Sequence, residues 1–257
     1  SNEDVTIKVN DETVLDKNYY TVTVDEVNTN KFTVTVDVLN AIKDGKMVEG
    51  NTLYTYYTGI LNENAKVYND GKQDNKAYLE YSNNPHDNTT TNKTPEKVVY
   101  DWTFKMEVNK IDGESNAPLS DAKFVLSKNG SRSLGTIGDD GTPSNTKDLI
   151  SLIENSDGSY TVAPAGHTGT YVMTAGNITI KGLDDATEYY LYETKAPAGY
   201  NRLTDAVKFK ITADYDETGK NCTSVTTKVN EDAPQAGLSI TVKNNKGAAL
   251  PSPRGIG

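Results

Sequence analysis

Three strand-like segments each carry an apolar stripe that ends in one polar side chain. In Phe104-Lys105-Met106-Glu107-Val108-Asn109-Lys110 the alternate residues are Phe104, Met106, Val108 and then Lys110. In Leu238-Ser239-Ile240-Thr241-Val242-Lys243-Asn244 they are Leu238, Ile240, Val242 and then Asn244. In Tyr189-Tyr190-Leu191-Tyr192-Glu193 they are Tyr189, Leu191 and then Glu193. Successive side chains of a strand point to opposite faces, so each polar group continues its strand's apolar face. A desolvated lysine loses its proton and becomes a nucleophile. A protonated carboxyl group polarises a carboxamide and shuttles protons. Together the three form a reactive set: attack of the lysine on the asparagine side chain expels ammonia and leaves an amide cross-link. Taken singly, each residue could be a strand terminus that reaches water.

The elements that must position these residues are strands. Val5-Thr6-Ile7-Lys8-Val9, Tyr20-Thr21-Val22-Thr23-Val24 and Phe32-Thr33-Val34-Thr35-Val36 alternate apolar and polar residues, the pattern of half-buried strands. Turn-forming clusters at Asn10-Asp11, Asn28-Thr29-Asn30, Asp44-Gly45 and Asp70-Gly71 separate them. One short helix is expected over Val38 to Lys43. Such spacing, without long helical patterns, predicts an all-β chain of two Ig-like β-sandwich domains in tandem. The polar stretch Ser82 to Pro95 reads as a loop, and a long strand is expected from Val98 through Val108. The domains are therefore placed at 1–103 and 104–250, with 251–257 as a tail. Lys128 to Gly169 reads as an elaborated loop containing extra short strands.

Composition removes several function classes. The chain has 257 residues and a net charge of −10, which argues against a nucleic-acid partner, because phosphates need a basic stripe. It contains no run of 18 apolar residues, so no membrane insertion of this chain is expected. One cysteine, Cys222, excludes an internal disulfide framework. No Walker A loop, dinucleotide fingerprint or His-Glu-x-x-His motif is present. Gly135, Gly138 and Gly141 surround Asp139 and Asp140, a poor cradle for phosphate. His86 and His167 lie in loop-like sequence. Asn69 to Asp74 misses calcium-loop spacing. Asp139-Asp140 and Asp184-Asp185, the nearest carboxylate pairs for glycoside hydrolysis, look like turns. No cofactor and no metal site are expected, and no enzymatic activity beyond a single self-directed turnover.

The segment Tyr189 to Tyr200, YYLYETKAPAGY, matches at every defined position the E-box, Y-x-L-x-E-T-x-A-P-x-G-Y, of SpaA-type backbone pilins of Gram-positive bacteria. Val108-Asn109-Lys110-Ile111-Asp112, followed by Pro118 to Phe124, resembles the opening of a Cna-B-like domain of that family. Asn244 to Pro251 resembles its last strand leading to a sortase signal. The resemblance implies an isopeptide bond between Lys110 and Asn244 with Glu193 as catalyst. It implies a structural subunit of a cell-surface pilus, extracellular and wall-attached, joined to other pilin subunits by sortase. The alternative is an adhesin or ancillary pilin module that binds a host surface ligand.

The first domain resembles the preceding pilin domain through Gly59 to Ala65 and through Ala77 to Pro85. In that family a similar Tyr-Ser-Asn segment supplies an isopeptide asparagine. Leu79, Tyr81 and Asn83 share a face, which makes Asn83 the candidate over Asn84. The family's lysine and helper acid are expected in strands before Ser1, so the first domain is read as incomplete at its N-terminus and without its own bond. The sorting signal should read Leu-Pro-x-Thr-Gly. Here Leu250, Pro251, Ser252, Pro253, Arg254 and Gly255 lack the threonine.

Overall fold

In the computed structural model, which describes residues 5–27, 31–58, 66–68, 70–82, 90–164 and 167–247, the alternating segments are strands. The chain divides into two units, residues 1–60 and 61–257. The boundary expected at 103/104 lies inside the second unit, at the start of its main sandwich.

In the first unit the strands are β1 (Val5–Val9), β2 (Thr13–Val14), β3 (Tyr20–Val24), β4 (Phe32–Val36) and β5 (Leu53–Tyr57), with helix α1 (Val38–Lys43) between the last two. Strands β2, β1 and β5 form one sheet in that order, and β3 pairs with β4. Asn10 and Asp11 have φ of 53° and 63°, the left-handed conformation that asparagine and aspartate tolerate in tight hairpin turns. The expected helix is present because Asp37 caps it, accepting from the Asn40 amide at 3.1 Å. Ile7, Val9, Leu15, Tyr20, Ala41 and Met47 make the core of this unit.

The second unit begins with β6 (Gln73–Ala77), β7 (Glu80–Ser82), β8 (Thr91–Lys93) and β9 (Lys97–Asp101). Strand β6 pairs with β9 and β7 with β8, both antiparallel. The single strand expected from Val98 to Val108 is two strands. It breaks at Trp102-Thr103, and β10 (Phe104–Asp112) follows. The break has a hydrogen-bonding cause: the Thr103 carbonyl accepts from the Tyr68 amide at 2.9 Å, and the Thr103 hydroxyl donates to Lys66 O at 3.2 Å. The Tyr68 ring packs at a tilt against both Trp102 and Phe104.

The remaining strands are β11 (Ala122–Ser127), β12 (Leu152–Glu154), β13 (Tyr160–Val162), β14 (Met173–Ala175), β15 (Asn177–Leu183), β16 (Glu188–Lys195), β17 (Val207–Tyr215), β18 (Cys222–Val229), β19 (Gln235–Ala236) and β20 (Ser239–Asn244). They form a five-stranded sheet, β12-β13-β15-β10-β20, and a six-stranded sheet, β14-β11-β16-β17-β18-β19. One core joins the two faces: Met106, Val108, Ile180, Ile240 and Val242 come from the first sheet, and Phe124, Leu126, Tyr189, Leu191 and Phe209 from the second. This is the expected β-sandwich. The extra short strands expected between Lys128 and Gly169 are β12 and β13, which add an antiparallel pair to the first sheet and bury Leu152 and Tyr160.

Candidate functional site

Alternation carries through from sequence to burial. Along β10, Phe104, Met106, Val108, Lys110 and Asp112 are buried, and along β20, Ile240, Val242 and Asn244 are. Strands β10 and β20 are neighbours and run parallel, with Lys110 beside Val242 and Asp112 beside Asn244. The Lys110 and Asn244 side chains therefore enter the sandwich on the same face, two residues apart in register. Strand β16 brings Glu193 from the opposite sheet.

The three side chains meet. Lys110 and Asn244 have no exposed surface, and Glu193 is 3 % exposed. Lys110 Nζ lies 3.6 Å from Glu193 Oε1 and donates to Val242 O at 3.3 Å. Asn244 Nδ2 donates to Glu193 Oε2 at 2.8 Å and to Asn201 O at 2.5 Å. The Leu203 amide also donates to Glu193 Oε2, at 2.8 Å. One carboxyl group thus faces the lysine with one oxygen and the carboxamide with the other. Burial pulls the Lys110 amine below its ordinary value, although the facing Glu193 carboxylate opposes the shift. Asn244 Oδ1 is buried without a hydrogen-bond partner, a costly state for an interior amide. Asn245 is exposed, so the choice between the two asparagines follows the pleat.

The loop after β16 supplies contacts that alternation does not reveal. Gly199 has φ of +85°, a left-handed turn that glycine adopts without strain. It folds residues 199–203 back along the end of β20: Gly247 N donates to Gly199 O at 3.0 Å, and Asn201 N to Asn245 O at 3.0 Å. Asn201 O and Leu203 N, the groups that hold Asn244 and Glu193, are backbone atoms whose identity no residue type announces. The available signal was their position just past the Gly199-Tyr200 turn.

Among the described residues, the other candidates from the sequence stay apart from this cluster. Asn83 and Leu250 to Gly255 lie outside the described residues, as do His86 and Asn69. Lys8 is half-buried, and Lys17 and Lys31 are exposed. His167 is exposed in a loop. The free thiol of Cys222 is raised above its ordinary value by burial and by nearby Asp185, the opposite of an activated nucleophile. Asp140 holds the Thr142 amide and hydroxyl, and Asp184 pairs with Lys128. Among the described residues, no group of three or more His, Cys, Asp or Glu side chains could hold a metal ion. None of the described helices is long and apolar enough to cross a membrane.

Residues 104–226 match the SpaA family model, a prealbumin-like fold domain. Over those residues the resemblance to SpaA-type pilins is borne out. Solved structures agree on the fold. A C-terminal fragment of the major pilin GBS80 of Streptococcus agalactiae is similar at 20% identity and a TM-score of 0.56, over 94% of this chain and 82% of that one. Domains D2 and D3 of the major pilin SpaD from Corynebacterium diphtheriae are similar at 22% identity and a TM-score of 0.51, over 95% and 80% of the two chains. Among curated proteins, none matches significantly.

Proposed function

We propose that this chain is a structural subunit of a Gram-positive cell-surface pilus, and that its second unit locks itself with an amide between Lys110 and Asn244. The observation that carries the reading is the fully buried Lys110–Glu193–Asn244 cluster at the ends of two adjacent parallel strands. Prior positioning converts a slow bimolecular aminolysis into an intramolecular one. Lys110 in its neutral form attacks Asn244 Cγ. As the new C–N bond forms, Glu193 takes a proton from the attacking nitrogen through Oε1 and a proton passes from its Oε2 to Nδ2, whose bond to Cγ breaks. Ammonia departs and Glu193 returns to its starting state, so the reaction needs no cofactor or outside reagent. The product also removes an ionisable amine from the interior, where a charge is expensive.

Such a subunit acts outside the cell, with other pilin subunits as its partners in a sortase-assembled shaft. Neither role requires a catalytic cleft. The test is the intact mass of the purified chain. A mass one ammonia below that of the sequence is expected, with the loss mapping to a Lys110–Asn244 branched peptide. An unmodified mass overturns the reading.

A further inference from the structure

The three strands of the cluster converge on a fourth buried polar group that the chemistry does not use. Asp112 ends β10 and stands beside Asn244 in register, two residues past Lys110 on the same face. It is 3 % exposed. Its Oδ1 accepts from the amides of Glu114 and Ser115 at 2.8 and 2.9 Å, which closes the turn after β10. Its Oδ2 accepts from the Tyr200 hydroxyl at 2.7 Å and lies 3.8 Å from Lys246 Nζ. One carboxylate therefore ties together the chain just past β10, just past β16 and just past β20. A buried carboxylate is costly, and the best-attested reason to keep one is that it specifies a single register.

Resting on the cross-linking reading above, we propose that Asp112 and Tyr200 form a latch that positions the cluster for bond formation. Neither residue touches the reacting atoms. Tyr200 is followed directly by Asn201, whose carbonyl holds the leaving nitrogen of Asn244. Two residues later the Leu203 amide holds Glu193 Oε2. Seating Tyr200 on Asp112 sets the height of this loop against β20, and so fixes the direction in which the carboxamide presents Cγ to Lys110. Without the latch the same three side chains stay buried, but Asn244 loses its second acceptor and turns freely about its side-chain bonds. Misplacement of reacting groups by about 1 Å costs on the order of a hundredfold in rate.

The test follows the linked fraction over time in chain synthesised in vitro and denatured at intervals, for the parent, Tyr200→Phe, Asp112→Ala, Asp112→Asn and the Asp112→Ala/Tyr200→Phe pair. Tyr200→Phe and Asp112→Ala should each slow linking by about tenfold to a hundredfold. The pair should be no slower than the slower single variant, because both remove one contact. Asp112→Asn should restore most of the rate, since its carboxamide oxygen keeps the Glu114 and Ser115 amides and its Nδ2 donates to the Tyr200 hydroxyl oxygen. The pH at which the rate levels off, set by Lys110, should be the same in all variants. Circular dichroism of each variant separates slow linking from failure to fold, and Asp112→Asn keeps the turn closed if Asp112→Ala unfolds. Equal rates, additive losses, or a displaced pH profile overturn the latch. A parent chain that never loses ammonia overturns the cross-linking reading and the latch with it. A parent that links at the same rate as the variants overturns the latch alone.

Discussion

Lys110 is the residue on which the chemistry turns, because only its neutral form attacks. Burial lowers its pKa from the model-compound value of 10.5, against the pull of Glu193. The linking rate should therefore rise with pH through the lowered Lys110 pKa and level off below the ordinary lysine range, as read by time-resolved intact mass. A plateau reached only near 10.5 would show that burial does not activate the amine. In Asn244→Ala, which cannot link, the unfolded chain binds more protons than the folded chain between the lowered Lys110 pKa and 10.5. Stability of that variant should rise with pH across this window, and urea midpoints would reveal a flat or falling trend. Glu193→Ala and Glu193→Gln should both leave Lys110 and Asn244 unlinked in a folded sandwich. Neither side chain can take a proton from the amine and pass it to the leaving nitrogen. A branched tryptic peptide persisting in either variant would refute the assigned role.

At the scale of elements, the sandwich is braced from outside as well as within. The turn around Gly138 to Ser144 lies over the outer face of β11 and β16. Lys195 Nζ donates to Asp139 O at 2.6 Å, and Gly138 N to Thr142 O at 2.9 Å. Gly141 has φ of +86°, and a Cβ there would sit 2.8 Å from Cβ and Cγ of Lys123 and 3.1 Å from the Thr194 hydroxyl. Glycine is required both by the backbone conformation and by the close approach. Gly141→Ala should destabilise the unlinked Asn244→Ala protein by about 1–3 kcal/mol, the usual cost of a strained backbone position. Urea denaturation measures it. An unchanged midpoint would mean that this turn does not brace the E-box strand.

For the molecule as a whole, the proposed bond matters through topology. Strands β10 and β20 are parallel neighbours, so tension applied at the start of β10 and the end of β20 shears one past the other. A Lys110–Asn244 amide carries that tension directly and removes residues 111–243 from the load path. The bond spans 244 − 110 = 134 positions. Treated as a disulfide closing a loop of that length, it stabilises by about 5 kcal/mol through the entropy of the unfolded chain. Asn244→Ala should thus melt at a lower temperature than the parent and admit trypsin to the second unit. It keeps Lys110 paired with Glu193, so the comparison is not confounded by an orphaned charge. Under force the variant should extend by the length of the shielded segment where the parent does not. Equal extension would show that the bond, once formed, bears no load.

Period-two alternation is a property of the chain itself, and it was legible without any tertiary knowledge. It placed Lys110, Glu193 and Asn244 on apolar faces, preferred Asn244 to Asn245, and marked β1, β3 and β4 at their observed limits. Capping by Asp37 is equally local, and α1 occupies the stretch expected for it. Partnership between distant segments is not local. That β20 lies beside β10 and runs parallel to it is decided by the packing of the whole sandwich. So is the break at Trp102-Thr103, where alternation continues unbroken but the Tyr68 amide donates to the Thr103 carbonyl and the Lys66 carbonyl accepts from the Thr103 hydroxyl. The roles of Asn201 O and Leu203 N were invisible for a related reason: every residue carries these atoms, and only the path of the folded chain brings these two to the buried carboxyl of Glu193 and the amide of Asn244.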